Sequence, residues 1–318
     1  MNQALAYPSS TFTLGGDLNV RRLGYGAMYL TGPGMWGPPA DPEAAIRLLR
    51  RAVDLGVNFI DTADSYGPDA NEQIIRRALH PYPKGLVITT KGGLLRSGPE
   101  DWTNREKPYI VPCGRPAYLR QQVEMSLRNL GLERIDLYQL HRIDPAVPLA
   151  DQLGELVRLR EQGKIRHIAL SGQPEVTIEQ LTAARAITEI VAVENLYNVA
   201  DRAGEPVLRH CEQNGIAFIP WFPMGHGALA GPDSILAGWA RKRDLKPAQV
   251  ALAWLLHKSP AILAIPGTSS IKHLEENCRA AEIELSEKDM AEIADIAASV
   301  PTWRPSAAHA DSTTEEAS

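Results

Sequence analysis

An eightfold alternation constrains this chain more than any single motif. Short apolar runs at residues 23–28, 57–61, 86–91, 135–141, 165–172, 190–195, 216–221 and 262–267 alternate with longer amphipathic runs at 41–56, 71–80, 116–131, 149–163, 176–188, 205–214, 247–258 and 271–281. The first set has the length and composition of strands, the second the apolar spacing of helices. The strand runs are almost continuously apolar, as expected when protein covers both faces of a parallel sheet. Helix boundaries are written in the same way: Pro42 falls in a first turn that Asp41 can cap, and Gly56 can end it. Eight strand–helix repeats in 318 residues predict an α/β protein, a (β/α)8 barrel spanning 1–318 as one domain. An open doubly wound sheet is the competing arrangement. Its glycine fingerprint is missing, because Gly24 and Gly26 have no third glycine in register and no helix follows them directly.

Before the first strand, the segment TFTLGGDLNVRRLG reads as a hairpin turning at Gly15, Gly16 and Asp17, placed to plug the bottom of the barrel. Residues 92–115 read as a long polar loop, and such loops are usually functional or mobile. The polar, acidic stretch at about 305–318 is expected to be a disordered tail. A net charge of -5 offers no basic footprint for nucleic acid, and no apolar run approaches a membrane span. The opening MNQALAYPSS lacks the basic start and apolar core of a secretory signal. Cys113, Cys211 and Cys278 are odd in number and far apart, which reads as free thiols. Together these features predict a cytoplasmic protein, monomeric or a small homo-oligomer.

Active sites of such barrels lie at the C-terminal ends of the strands. There the chain supplies Asp61, Tyr66, Lys91 and His141. Any one of them alone is ordinary, as a cap, a solvated cation or a structural imidazole. Together, a carboxylate, a phenol, an ammonium and an imidazole converge on one mouth from three neighbouring strand ends. Asp61 can hold Lys91 charged, and the Lys91 cation favours the phenolate of Tyr66, lowering a pKa that is ordinarily about 10. His141 can hydrogen-bond a substrate oxygen. Such a set suits carbonyl reduction, in which hydride reaches carbon and Tyr66 protonates oxygen. A metal-dependent hydrolase or isomerase would need clustered ligands at strand ends, and only His141 clearly occupies one, so no metal is expected.

FIDTADSYG, ITTKGG, IDLYQLHRID and IPGTSSIKHLEEN, in this order and spacing, resemble the aldo-keto reductase family over nearly the whole chain. The resemblance implies a reductase using NADPH, with NADH as the alternative, and makes Asp61, Tyr66, Lys91 and His141 its catalytic tetrad. It places Gly26, Met28, Asp61, Pro223 and Gly225 against the cofactor, Trp221 on the nicotinamide ring, and Ser171 at the carboxamide. Gly172 stands where the family usually has Asn, and Glu194 where it has Gln; Gln173 can compensate. At the phosphate end, Gly267, Thr268, Ser269, Ser270 and His273 are implied, with Glu276 and Asn277 at the adenine. Gly267 replaces a common Lys and His273 a common Arg, leaving Lys272 and His273 to supply charge. Tyr29, Trp36 and Trp102, with Tyr109, suggest an aromatic rim for a flat or apolar small-molecule carbonyl. RLGYGAMYLTGPGMWGPP resembles a bacterial subgroup that includes pyridoxal reductases, which makes pyridoxal the candidate substrate. A second role follows from the same resemblance: potassium-channel β subunits share the fold, bind NADPH tightly and turn over slowly.

Overall fold

In the computed structural model, the described residues are 11–101, 103–104 and 106–298; the tail expected at 305–318 and Trp102 lie outside them. A hairpin of β1 (Thr11–Leu14) and β2 (Leu18–Arg21) precedes the barrel. The parallel strands follow in chain order: β3 (Tyr25–Gly26), β4 (Phe59–Asp61), β5 (Val87–Gly92), β8 (Ile135–Leu140), β9 (Ile165–Ser171), β10 (Ala192–Leu196) and β11 (Ala217–Trp221). Each neighbours the next, in the sheet order β11-β10-β9-β8-β5-β4-β3. The intervening helices are α1 (Pro42–Asp54), α2 (Ala70–Leu79), α3 (Pro116–Leu130), α4 (Leu149–Glu161), α5 (Ile178–Ile187) and α6 (Glu205–Gln213). After β11 come α7 (Ala237–Arg241), α8 (Pro247–Lys258), α9 (Ile271–Cys278) and α10 (Glu287–Ala297). The (β/α)8 expectation is met. No described helix is long and apolar enough to cross a membrane.

The eighth strand differs in detail from its expectation. Residues 262–267 form no regular ladder, but they close the barrel through single bridges, Phe218 to Ile262 on one side and Leu23 to Ala264 on the other. The Leu263 N–H donates to Phe218 O at 2.9 Å and the Ala264 N–H to Arg22 O at 2.7 Å. Pro266 has no N–H to continue the ladder. Two further elements depart from the sequence reading. The 92–115 stretch contains an antiparallel ribbon, β6 (Leu94–Arg96) against β7 (Ile110–Pro112). Helix α10 had no place in the eightfold pattern, yet its start carries a capping box between Ser286 and Asp289.

The hairpin plugs the N-terminal end as expected. Leu14, Leu18 and Val20 pack in one buried cluster with barrel residues that include Phe59, Val87, Leu137 and Leu263. Asp17 pins the turn to β9, accepting from Arg166 Nε at 3.0 Å and lying 2.7 Å from His167 Nε2. Gly15 and Gly16 turn the chain at φ +60° and +80°, where a β-carbon is strained. Above this apolar floor the barrel interior becomes polar: Thr89, Lys91, Gln139 and Glu194 are all buried. All three cysteines are free and buried.

Gly92, next to Lys91, has no room for a side chain, because a β-carbon there would overlap the Tyr138 hydroxyl. That hydroxyl is buried with no hydrogen-bond partner among the described residues. Gly92→Ala should therefore cost about 1–3 kcal/mol of stability by overpacking. Tyr138→Phe in the same chain should restore most of it, read as the urea midpoint of unfolding.

Candidate active site

Strand register assembles the site. Asp61 on β4 pairs with Thr89 on β5, Lys91 on β5 pairs with Gln139 on β8, and Glu194 on β10 pairs with Ser171 on β9. These side chains meet at the barrel's C-terminal end. Lys91 Nζ lies 2.5 Å from Asp61 Oδ2, 3.4 Å from Glu194 Oε1 and 3.4 Å from the Tyr66 hydroxyl. Gln139 Nε2 bridges the two carboxylates, donating to Asp61 Oδ1 at 3.1 Å and Glu194 Oε2 at 2.9 Å. His141 follows β8; its ring stands edge-on to Tyr66 with centroids 6.0 Å apart, and Nδ1 lies 3.4 Å from Ser65 Oγ. The structure thus brings together all four residues of the expected set.

Their electrostatics correct one expectation. Lys91 does pull the Tyr66 pKa down, but burial acts more strongly, and the Asp61 and Glu194 charges add to it. The phenol is therefore held above its ordinary range, not below it. Burial pulls the Lys91 ammonium toward neutrality, yet Asp61 and Glu194 outweigh it and keep the cation. Burial and Glu194 push Asp61 above the usual carboxylate range, against the pull of Lys91. His141 is held well below its ordinary value by burial and by Lys91, Arg142 and Arg96, so its imidazole is neutral near pH 7.

Three cavities join into one trench. The first, about 100 Å³, is lined by Tyr66, His141, Ser171, Gly172, Trp221 and neighbours. The second, about 70 Å³, shares Met28, Tyr66, Glu194 and Trp221 with it and adds Gly26, Asp61, Pro223 and Gly267. The third, about 440 Å³, shares Tyr29, His226 and Gly267 with the second and reaches Thr268, Lys272, His273, Glu276 and Asn277. Trp221 stands between the first two, its Nε1 donating to Gly172 O at 3.2 Å. Most expected cofactor positions therefore line one continuous groove. Three do not: Ser270 is spent as the N-cap of α9, Ser269 beside it is exposed, and the Gly225 N–H bonds Phe222 O in a tight turn.

Two departures from the family pattern have steric causes. A β-carbon at 172 would lie 2.5 Å from Val176 N and 2.7 Å from Pro174 O, so Asn has no room. One at 267 would lie 2.8 Å from Tyr29 Cδ2 and 2.9 Å from Gly26 O, which disfavours Lys. The expected aromatic rim is corrected in part. Tyr29 lines the second and third cavities, near His226, and is absent from the lining of the first. Trp36 packs against Arg96, 5.8 Å from guanidinium carbon to ring centroid, and lines none of the three cavities. Lys246, ahead of α8, lines the third cavity and adds a second ammonium to that of Lys272. Sequence reasoning missed it because a lysine before a helix carries no signal of its own.

The comparisons with known proteins agree with the fold. The aldo/keto reductase family profile matches residues 22–298. An uncharacterized oxidoreductase of Schizosaccharomyces pombe is 50% identical over 278 residues, 87% of each chain. Pyridoxine 4-dehydrogenase of Escherichia coli is 46% identical over 286 residues, covering 88% of this chain and 96% of that protein. The crystal structure of an aldo-keto reductase from Klebsiella pneumoniae in complex with NADPH superposes with a TM-score of 0.76 at 25% identity, over 91% of this chain and 95% of that one. The chain belongs to the aldo/keto reductase family and is an oxidoreductase.

Proposed function

We propose that this protein reduces an aldehyde or ketone to the alcohol with NADPH, and that pyridoxal is its candidate substrate. The observation that carries the reading is the Tyr66 hydroxyl 3.4 Å from a buried Lys91 ammonium, at the cavity His141 also lines. NADPH fits the groove by chemistry: Lys246, Lys272 and His273 offer cationic or donor groups to a phosphate at one end, and Trp221 offers a ring face at the other. When bound, NADPH supplies the hydride that reaches the carbonyl carbon.

The protein's own residues manage the proton. Tyr66 stays a phenol across the physiological range, so it is ready to donate to the carbonyl oxygen as negative charge develops there. Lys91 stabilises the phenolate that remains, and Asp61 holds Lys91 in place. Neutral His141 can donate a hydrogen bond to the same oxygen from the ring nitrogen that does not face Ser65. Support for pyridoxal comes from the 46% identity to a pyridoxine 4-dehydrogenase, whose named reaction interconverts an alcohol and an aldehyde of this compound class.

The test is a steady-state assay with NADPH or NADH and a panel of carbonyls including pyridoxal. Tyr66→Phe should keep NADPH binding and lose about 10²–10⁴-fold in reduction. Full turnover in that variant, or NADPH binding by the wild type without turnover of any carbonyl, would contradict the reading.

Glu194 gives a pH prediction. Its charge raises the Tyr66 pKa, so Glu194→Gln should lower it. Alcohol oxidation uses the phenolate as base. The rising alkaline limb of its pH–rate profile should therefore move to lower pH in Glu194→Gln. A limb that stays in place or moves upward would contradict the assignment.

A further inference from the structure

Two guanidiniums line the cavity in front of Tyr66 and His141, those of Arg96 and Arg142. They are differently employed. Arg96 donates to Ser65 O at 3.0 Å, to Gly98 O at 3.1 Å and to Gly34 O. It lies between the rings of Trp36 and Tyr109, at 5.8 and 5.4 Å. Its donors are used in lacing the ribbon to the loops after β3 and β4, and the nearby Glu100 acts on it electrostatically. Arg96 is a structural strap.

Arg142 is placed for something else. It is the residue after His141, half-buried where β8 opens into the cavity. Among the described residues its guanidinium donates only to Gln173 Oε1 and pairs with no carboxylate. The other buried cation of the site, Lys91, is already answered by Asp61 and Glu194. A guanidinium has five N–H donors in a planar fork, suited to a pair of anionic oxygens or one strongly negative oxygen. A half-buried fork with most donors unspent, facing a cavity beside the tetrad, marks where negative charge on a ligand is favoured.

We infer that Arg142 is a specificity-determining residue that selects carbonyl substrates carrying an ionised oxygen close to the reacting carbonyl, such as a 2-hydroxyaryl aldehyde in its phenolate form. The inference rests on the reductase reading and extends it. Tyr66 and His141 would hold the carbonyl oxygen, and the residue next to His141 then meets the neighbouring edge of the same molecule. Gln173, released from Arg142 on binding, remains on the cavity wall to accept or donate. Pyridoxal has this chemistry, since its phenolic oxygen is ortho to its formyl group, but the selection is for the class.

The test compares 2-hydroxybenzaldehyde with benzaldehyde at saturating NADPH, at a pH where the phenol is largely ionised. The readout is the ratio of their kcat/KM values in wild type, Arg142→Met and Arg142→Lys. Using a ratio cancels any general effect on His141 or folding. The wild type should prefer the 2-hydroxy compound, and Arg142→Met should shrink that preference by about 10- to 100-fold, the worth of a charge-assisted hydrogen bond. Arg142→Lys, with the charge but not the fork, should fall between, and it decides the question if Arg142→Met does not bind NADPH. Turnover of both aldehydes with the same ratio in wild type and variants would overturn the inference and leave the reductase reading standing. A wild type that reduces other carbonyls but neither 2-hydroxybenzaldehyde nor pyridoxal would overturn the inference alone, and one that turns over no carbonyl would overturn both.

Discussion

One buried cation organises this molecule's upper half. Lys91 is fully buried and faces two carboxylates, Asp61 at 2.5 Å and Glu194 at 3.4 Å. Either carboxylate alone still pairs with Lys91; only loss of Lys91 leaves two carboxylates without a counter-ion in a water-poor interior, where they are driven to take up protons. The sheet register is tied to this cluster, since a one-residue slip of β4, β5 or β10 would turn Asp61, Lys91 or Glu194 away from it. Gln139 on β8 ties the carboxylates together, so four of the parallel strands contribute to one polar layer. The N-terminal hairpin supports that layer from below by filling the barrel's base with Leu14, Leu18 and Val20.

The same cluster sets the character of its neighbours. Lys91, Arg142 and Arg96 reinforce burial in keeping His141 neutral. Glu194 and Asp61 reinforce burial in keeping Tyr66 a phenol, and Lys91 opposes them. On this account, the resting site is set for proton donation, with a donor phenol and an uncharged imidazole side by side. Lys91 acts when the proton leaves, because its cation is the group that can stabilise the phenolate.

Much of this was legible in the chain. Apolar run lengths and turn residues located the parallel strands, and the end of a strand is where barrel chemistry lies, so Asp61, Lys91 and His141 could be picked from position and type. The mutual geometry was only half legible. Composition shows a lysine near a tyrosine, but the balance between Lys91 and burial depends on how much water reaches the phenol. The steric exclusion of larger residues depends at Gly172 on how the following turn folds back, through Pro174 and Val176, and at Gly267 on the distant Gly26 and Tyr29. The ribbon at β6 and β7 was hidden by its short strands within a polar, proline-bearing stretch. Arg142 was hidden differently: an arginine after a strand is ordinary until its lack of a carboxylate partner is seen in three dimensions.

The most direct test of Lys91's central place is the single-turnover rate of hydride transfer in Lys91→Met, followed by stopped-flow loss of NADPH absorbance with a carbonyl that the wild type reduces. Methionine keeps much of the buried chain length and removes the charge. The account predicts NADPH binding close to wild type and a hydride-transfer rate lower by about 10²-fold or more, since the developing phenolate loses its counterion. A rate near that of the wild type would mean that Tyr66 gives up its proton without Lys91, and the account would be wrong at its centre.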